Sequence, residues 1–97
     1  MQIDFKPMSI NRKISYYLIF SYLYYEQNEG LISDAQYDDL CKDLYENYNL
    51  VKSSDHPNKD LVDKFNLECG SGFGIQYTAR IKSSAEQLKI AAYENKF

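Results

Sequence analysis

Twelve residues, Ile14 to Tyr25, are apolar or aromatic on nearly every side of the helix they would form, relieved only by Ser15 and Ser21. A helix of that kind is either central to its domain or covered by something outside it. At 97 residues the chain has room for one small domain with a modest core. The run also falls well short of the ~20 apolar residues needed to span a bilayer. The N-terminal MQIDFKPMSINRK carries no apolar stretch with a small-residue cleavage site, so the expectation is a soluble, cytoplasmic protein.

Around that segment the helical pattern is regular. Ser9 can cap a first helix over about 9–27, with Ile10, Ile14, Tyr17, Leu18, Ser21 and Tyr24 or Tyr25 at helical spacing. Gly30 suits the left-handed residue that ends such a helix. Ser33-Asp34-Ala35-Gln36 is a capping box with Ile32 as its staple, and it opens a second helix over about 34–49. Asp34, Asp38 and Asp39 enrich its first turns in negative charge. Tyr37, Leu40, Cys41, Leu44, Tyr45 and Tyr48 form one apolar face.

The polar loop Lys52 to Pro57 leads to a short third helix over about 58–65, burying Leu61, Val62 and Phe65. Cys69 to Gly74 breaks regularity, and 73–78 alternates loosely as a short extended piece. A second capping box at Ser83 opens the last helix, with Ala85, Leu88, Ala91 and Ala92 as its face. The expected fold is a single all-α domain, an αα-hairpin over 1–57 with 58–97 packed on it.

Composition narrows the function. A formal charge of −3 argues against a module held to nucleic acid by phosphate neutralisation. Cys41 and Cys69 have neither the number nor the spacing of a disulfide scaffold or zinc site, and read as free thiols. Ten tyrosines and five phenylalanines, with no tryptophan, put many amphipathic rings in a short chain. Such rings suit interfaces and pockets. The abundance of Lys, Asn, Ile, Tyr and Phe fits AT-rich coding, as in a bacteriophage or low-GC bacterial accessory protein.

One constellation carries chemistry. Tyr22-Leu23-Tyr24-Tyr25 is followed, eight residues on, by Asp34-Ala35-Gln36-Tyr37-Asp38. This Y-x-Y-Y-x(6)-I-S-D-A-x-Y-D-x-L pattern resembles the N-terminal helical domain, Ia, of NAD-dependent DNA ligases. The likeness continues more weakly into Ser54-Asp55-His56-Pro57 and covers about residues 12–57. It implies recognition of the nicotinamide mononucleotide (NMN) half of NAD⁺ by Tyr24, Tyr25, Asp34, Tyr37 and Asp38. Tyr25 stands where the ligases carry His or Tyr.

The residue types suit that ligand on physical grounds. A tyrosine face attracts a pyridinium cation by ~0.5–2 kcal/mol. Asp34 and Asp38, four apart, share one helix face, where their charge complements the ring and their oxygens accept from ribose hydroxyls or the carboxamide. Each carboxylate alone is also what any helix N-terminus favours, and Tyr37 lies on the apolar stripe. Phe73 or Tyr77 packed onto Tyr24 and Tyr37 would close such a pocket.

Catalysis is not expected. Ligation needs a lysine nucleophile in K-x-D-G, and no lysine here is followed by that pattern. Cys41, His56 and Asp55 are the residue types of a nucleophile, base and orienter, but Cys41 belongs to an apolar face. A single His makes no metal site. Gly70 to Gly74 lacks the strand, spacing and helix of a phosphate cradle. Arg80, Lys82 and Lys89 could form a small basic edge.

Two functional readings follow. One is a non-catalytic accessory module binding NAD or NMN. The other is a protein–protein interaction factor, an inhibitor or modulator of a host enzyme or defence system, using its aromatic surplus on a protein partner. A charge of −3 is too small for a DNA mimic.

Overall fold

The computed structural model describes residues 2–94. The aromatic segment forms α1, Ile10–Gln27, capped by Ser9 Oγ, which accepts from the Arg12 N–H at 3.3 Å. It ends at Asn28, whose φ of 54° is left-handed, so Asn28 and not Gly30 reverses the chain. A short side chain that can bond locally makes Asn the next best residue to Gly there. The N–H groups of Asn28 and Glu29 both return to the Leu23 carbonyl.

Helix α2, Asp34–Glu46, starts with the capping box intact: Gln36 N–H donates to Ser33 Oγ at 3.1 Å, and Ser33 N–H to Gln36 Oε1 at 3.5 Å. It stops short of the expected 49. The Asn47 amide donates to both the carbonyl and the carboxylate of Asp43, each at 2.9 Å. That local bonding competes with helix continuation, and α3, Tyr48–Ser53, begins beyond it.

The expected third helix over 58–65 is instead a 3₁₀ turn, Lys59–Leu61, followed by α4, Lys64–Glu68. Asp63 Oδ1 accepts from Phe65 N–H at 2.7 Å and restarts the chain in a new direction. Val62 is buried as expected and Leu61 half-buried, but Phe65 is 69% exposed and Leu67 takes the inner position.

The last helix, α5, is Ala79–Tyr93, one turn longer at its start than the Ser83 box suggests, because Thr78 Oγ1 accepts from Ile81 N–H. Ile81 and Ala85 are its buried residues, with Leu88, Ala91 and Ala92 half-buried. Segment 73–78 is an irregular loop; no strand occurs among the described residues.

The fold is all-α, five helices among the described residues. Helix α1 packs against α2, α3 and α5, while α4 packs on α2. Ile14, Tyr17, Leu18 and Leu23 are fully shielded at its centre. One continuous core joins them to Phe5, Leu40, Cys41, Leu44, Val51, Val62, Leu67 and Ile81. No helix among the described residues is long and apolar enough to cross a membrane.

Candidate functional site

The turn between α1 and α2 brings the end of one helix beside the start of the next. A cavity of about 280 Å³ lies in that angle. Its walls are Phe20, Tyr24 and Tyr25 from α1, Glu29 to Ile32 from the turn, Asp34, Ala35, Tyr37 and Asp38 from α2, and Gly70. All five residues singled out in the sequence therefore line one cavity. Phe20, Glu29 and Gly70 are walls that sequence reasoning missed. Phe20 stands four before Tyr24 and could have been placed by helical spacing; Gly70 has no local signal.

The aromatic walls differ in rigidity. Tyr37 is stacked on Tyr17 (centroids 6.1 Å, planes 24° apart), and its hydroxyl shares a 2.7 Å hydrogen bond with Ser21 Oγ. Burial, with smaller contributions from nearby groups, pushes its hydroxyl pKa above the ordinary tyrosine range, against the opposing Ser21 bond. It is a fixed neutral phenol. Tyr24 is 50% exposed and meets Tyr25 edge-on at 4.9 Å. Tyr25 in turn meets Phe73 edge-on at 6.2 Å. Phe73 thus props Tyr25 from outside, while Tyr77 packs on Tyr22 and donates to the Gly72 carbonyl. Neither covers Tyr24 or Tyr37, and the cavity stays open.

The rim is acidic. Glu29 accepts a hydrogen bond from the Tyr93 hydroxyl at 2.5 Å, which ties the rim to the end of α5. Asp34 and Asp38 are exposed, and among the described residues neither has a hydrogen-bonding or ion-pair partner. Gly70 (φ 65°) lies against Asp38: a Cβ there would stand 2.5 Å from Oδ1. Glycine is required twice over, by the left-handed backbone and by that approach.

No family model, curated protein or solved structure matches the chain.

The other constellations do not assemble. Cys41 is buried in the core, and desolvation pushes its thiol up to about 12, so it is held as an inert thiol. His56 lies in a different place, its Nε2 2.8 Å from Ser15 Oγ and its Nδ1 accepting from Asn58 N–H at 3.0 Å. Asp55 accepts from the Asn11 amide at 2.6 Å. Because Nδ1 is an acceptor, the imidazole proton sits on Nε2 and is donated to Ser15, so His56 cannot serve as a base toward that hydroxyl. Lys89 is engaged by Gln27 (2.9 Å) and Glu86 (3.3 Å), apart from exposed Arg80 and Lys82. Among the described residues no His, Cys, Asp and Glu group could hold a metal ion.

Proposed function

We propose that this chain is a non-catalytic binding module whose α1–α2 cavity takes the nicotinamide end of NAD⁺ or NMN, and that it acts as an accessory or modulator of another protein. The observation that carries the reading is the convergence of Tyr24, Tyr25, Asp34, Tyr37 and Asp38 on one open cavity. These are the residues that the resemblance to the ligase Ia domain implies for nicotinamide recognition. A pyridinium ring against Tyr24 or Tyr25 gains ~0.5–2 kcal/mol of cation–π attraction. The unpartnered carboxylates of Asp34 and Asp38 accept from sugar hydroxyls or the carboxamide without first breaking an internal bond.

Calorimetric titration with NMN and NAD⁺ tests the reading. Heat is expected with the wild-type chain, and its loss in an Asp34→Ala, Asp38→Ala double variant whose circular dichroism is unchanged. Folded wild-type protein giving no heat at millimolar ligand overturns it.

A second reading, a phage or bacterial interaction factor without nucleotide binding, is favoured by the exposed edge Tyr24–Tyr25–Phe73, where Phe73 is 75% exposed. On that reading a partner captured from bacterial lysate is lost with Phe73→Ser, and a chain that captures nothing counts against it.

A further inference from the structure

The charge around the cavity is one-sided. Glu29, Asp34 and Asp38 stand on its wall, and among the described residues no Lys or Arg does. Several cations have partners off the wall: Lys13 pairs with Asp43 at 2.9 Å, Lys89 with Gln27 and Glu86, Lys59 donates to the Lys52 and Ser54 carbonyls, and Lys64 sits over the rings of Tyr45 and Tyr48. The N-terminus of α2, which could attract an anion, already has its capping box closed and Asp34 in its first turn. Cavity size points the same way. At about 280 Å³ it is at the small end of the ~300–1,000 Å³ typical of ligand sites, room for a ring and part of a sugar rather than a dinucleotide.

We infer that the cavity is a site for a nicotinamide nucleoside, an organic cation without phosphate, and that the mononucleotide's phosphate weakens binding rather than anchoring it. The inference rests on the nicotinamide reading and refines it. The aromatic walls and carboxylate rim both favour a positive ring. A phosphate attached to the ribose adds negative charge close to three carboxylates, with no Lys or Arg among the described residues of the wall to receive it.

Titration of the wild-type chain with four probes tests this: nicotinamide riboside, NMN, 1-methylnicotinamide and uncharged nicotinamide. The riboside is expected to bind about tenfold tighter than NMN, as like charges at a partly exposed site require. The gap should narrow between about 20 mM and about 500 mM salt. 1-Methylnicotinamide should bind better than nicotinamide. A Gly30→Lys variant adds a cation at the cavity wall where a Cβ meets nothing within 4 Å, and should bring NMN level with the riboside.

NMN binding as tightly as the riboside overturns the inference while leaving the nicotinamide reading standing. A gap that survives both salt and Gly30→Lys also overturns it, since charge would not be its cause. No binding by any probe removes the nicotinamide reading itself, and the inference with it.

Discussion

His56 has its imidazole fully engaged, one nitrogen donating to Ser15 and the other accepting from Asn58. Desolvation holds its pKa below the ordinary histidine value, against a smaller opposing pull from Asp55. A proton arriving on Nδ1 would face the Asn58 N–H and break the loop bond. The unfolded chain, with an ordinary histidine near 6.5, takes up that proton first. Stability therefore falls as pH drops below about 6.5 and levels only below the folded value. Asp55, held below the usual carboxylate range chiefly by the Asn11 amide, gives up its contribution only in more acid solution. Chemical denaturation at a series of pH values should show the slope between pH 7 and 5 in the wild type. His56→Ala should be less stable by about 1–3 kcal/mol at pH 7, from the two hydrogen bonds lost, and should lack that slope.

At the scale of elements, the segment from Cys69 to Gly74 is held onto α1 by hydroxyls. From α1, Tyr17 donates to the Ser71 carbonyl at 2.7 Å and Tyr25 to Ser71 Oγ at 3.4 Å, while Tyr77, packed on Tyr22, donates to the Gly72 carbonyl. Gly72 is buried, and a Cβ there would overlap Ser21 and press on the Tyr37 hydroxyl at 3.0 Å. Gly72→Ala should destabilise by about 1–3 kcal/mol through overpacking against the side chains of Ser21 and Tyr37. Gly30→Ala, in open space, should stay within about 0.5 kcal/mol. Thermal unfolding of both variants checks the contrast.

The helices were legible where their signals are local. Ser9 and Ser33 cap as their sequence implies, and the periodic faces of α1 and α2 turn inward except at Tyr24 and Tyr25, which are exposed. The misplaced features depend on competition between neighbours. Asn28 reverses the chain two residues before Gly30, Asn47 ends α2 by bonding back to Asp43, and Asp63 recaps the chain so that Phe65 turns outward. The cavity walls on α1 and α2 are local in the same way. The five residues that the resemblance implies flank one short turn, and the two helices set them around a common space. Gly70 arrives from far along the chain, and nothing near it in sequence shows where it lands.

Over the whole molecule, α1 is the axis and a single core runs from Phe5 near the start to Ile81 and Ala85 in α5. The aromatic density seen in the sequence divides by depth. Tyr17 is fully buried, Tyr37 and Tyr77 partly so, while Tyr24, Tyr25 and Tyr93 face solvent. The sides of α1 that looked excessive for one small domain are covered by α2, α3 and α5. Tyr24 and Tyr25 stay exposed beside the cavity, with Phe73 against Tyr25, and Leu50, Phe65, Ile90 and Tyr93 are exposed as well.

Tyr17, Tyr37 and Tyr77 are all held above the ordinary phenol range, in each case mainly by burial. An unfolded tyrosine releases its proton near pH 10, so above that pH the open chain sheds protons that the folded one keeps, and stability declines with rising alkalinity. Phenolate absorbance in an ultraviolet titration should include a steep step from these buried rings that coincides with loss of the helical dichroism. A single smooth wave with the helices intact would mean that the buried rings are open to hydroxide. The tyrosines that organise this fold thus also set its alkaline limit, and with no tryptophan to mask them, they report that limit in their own absorbance.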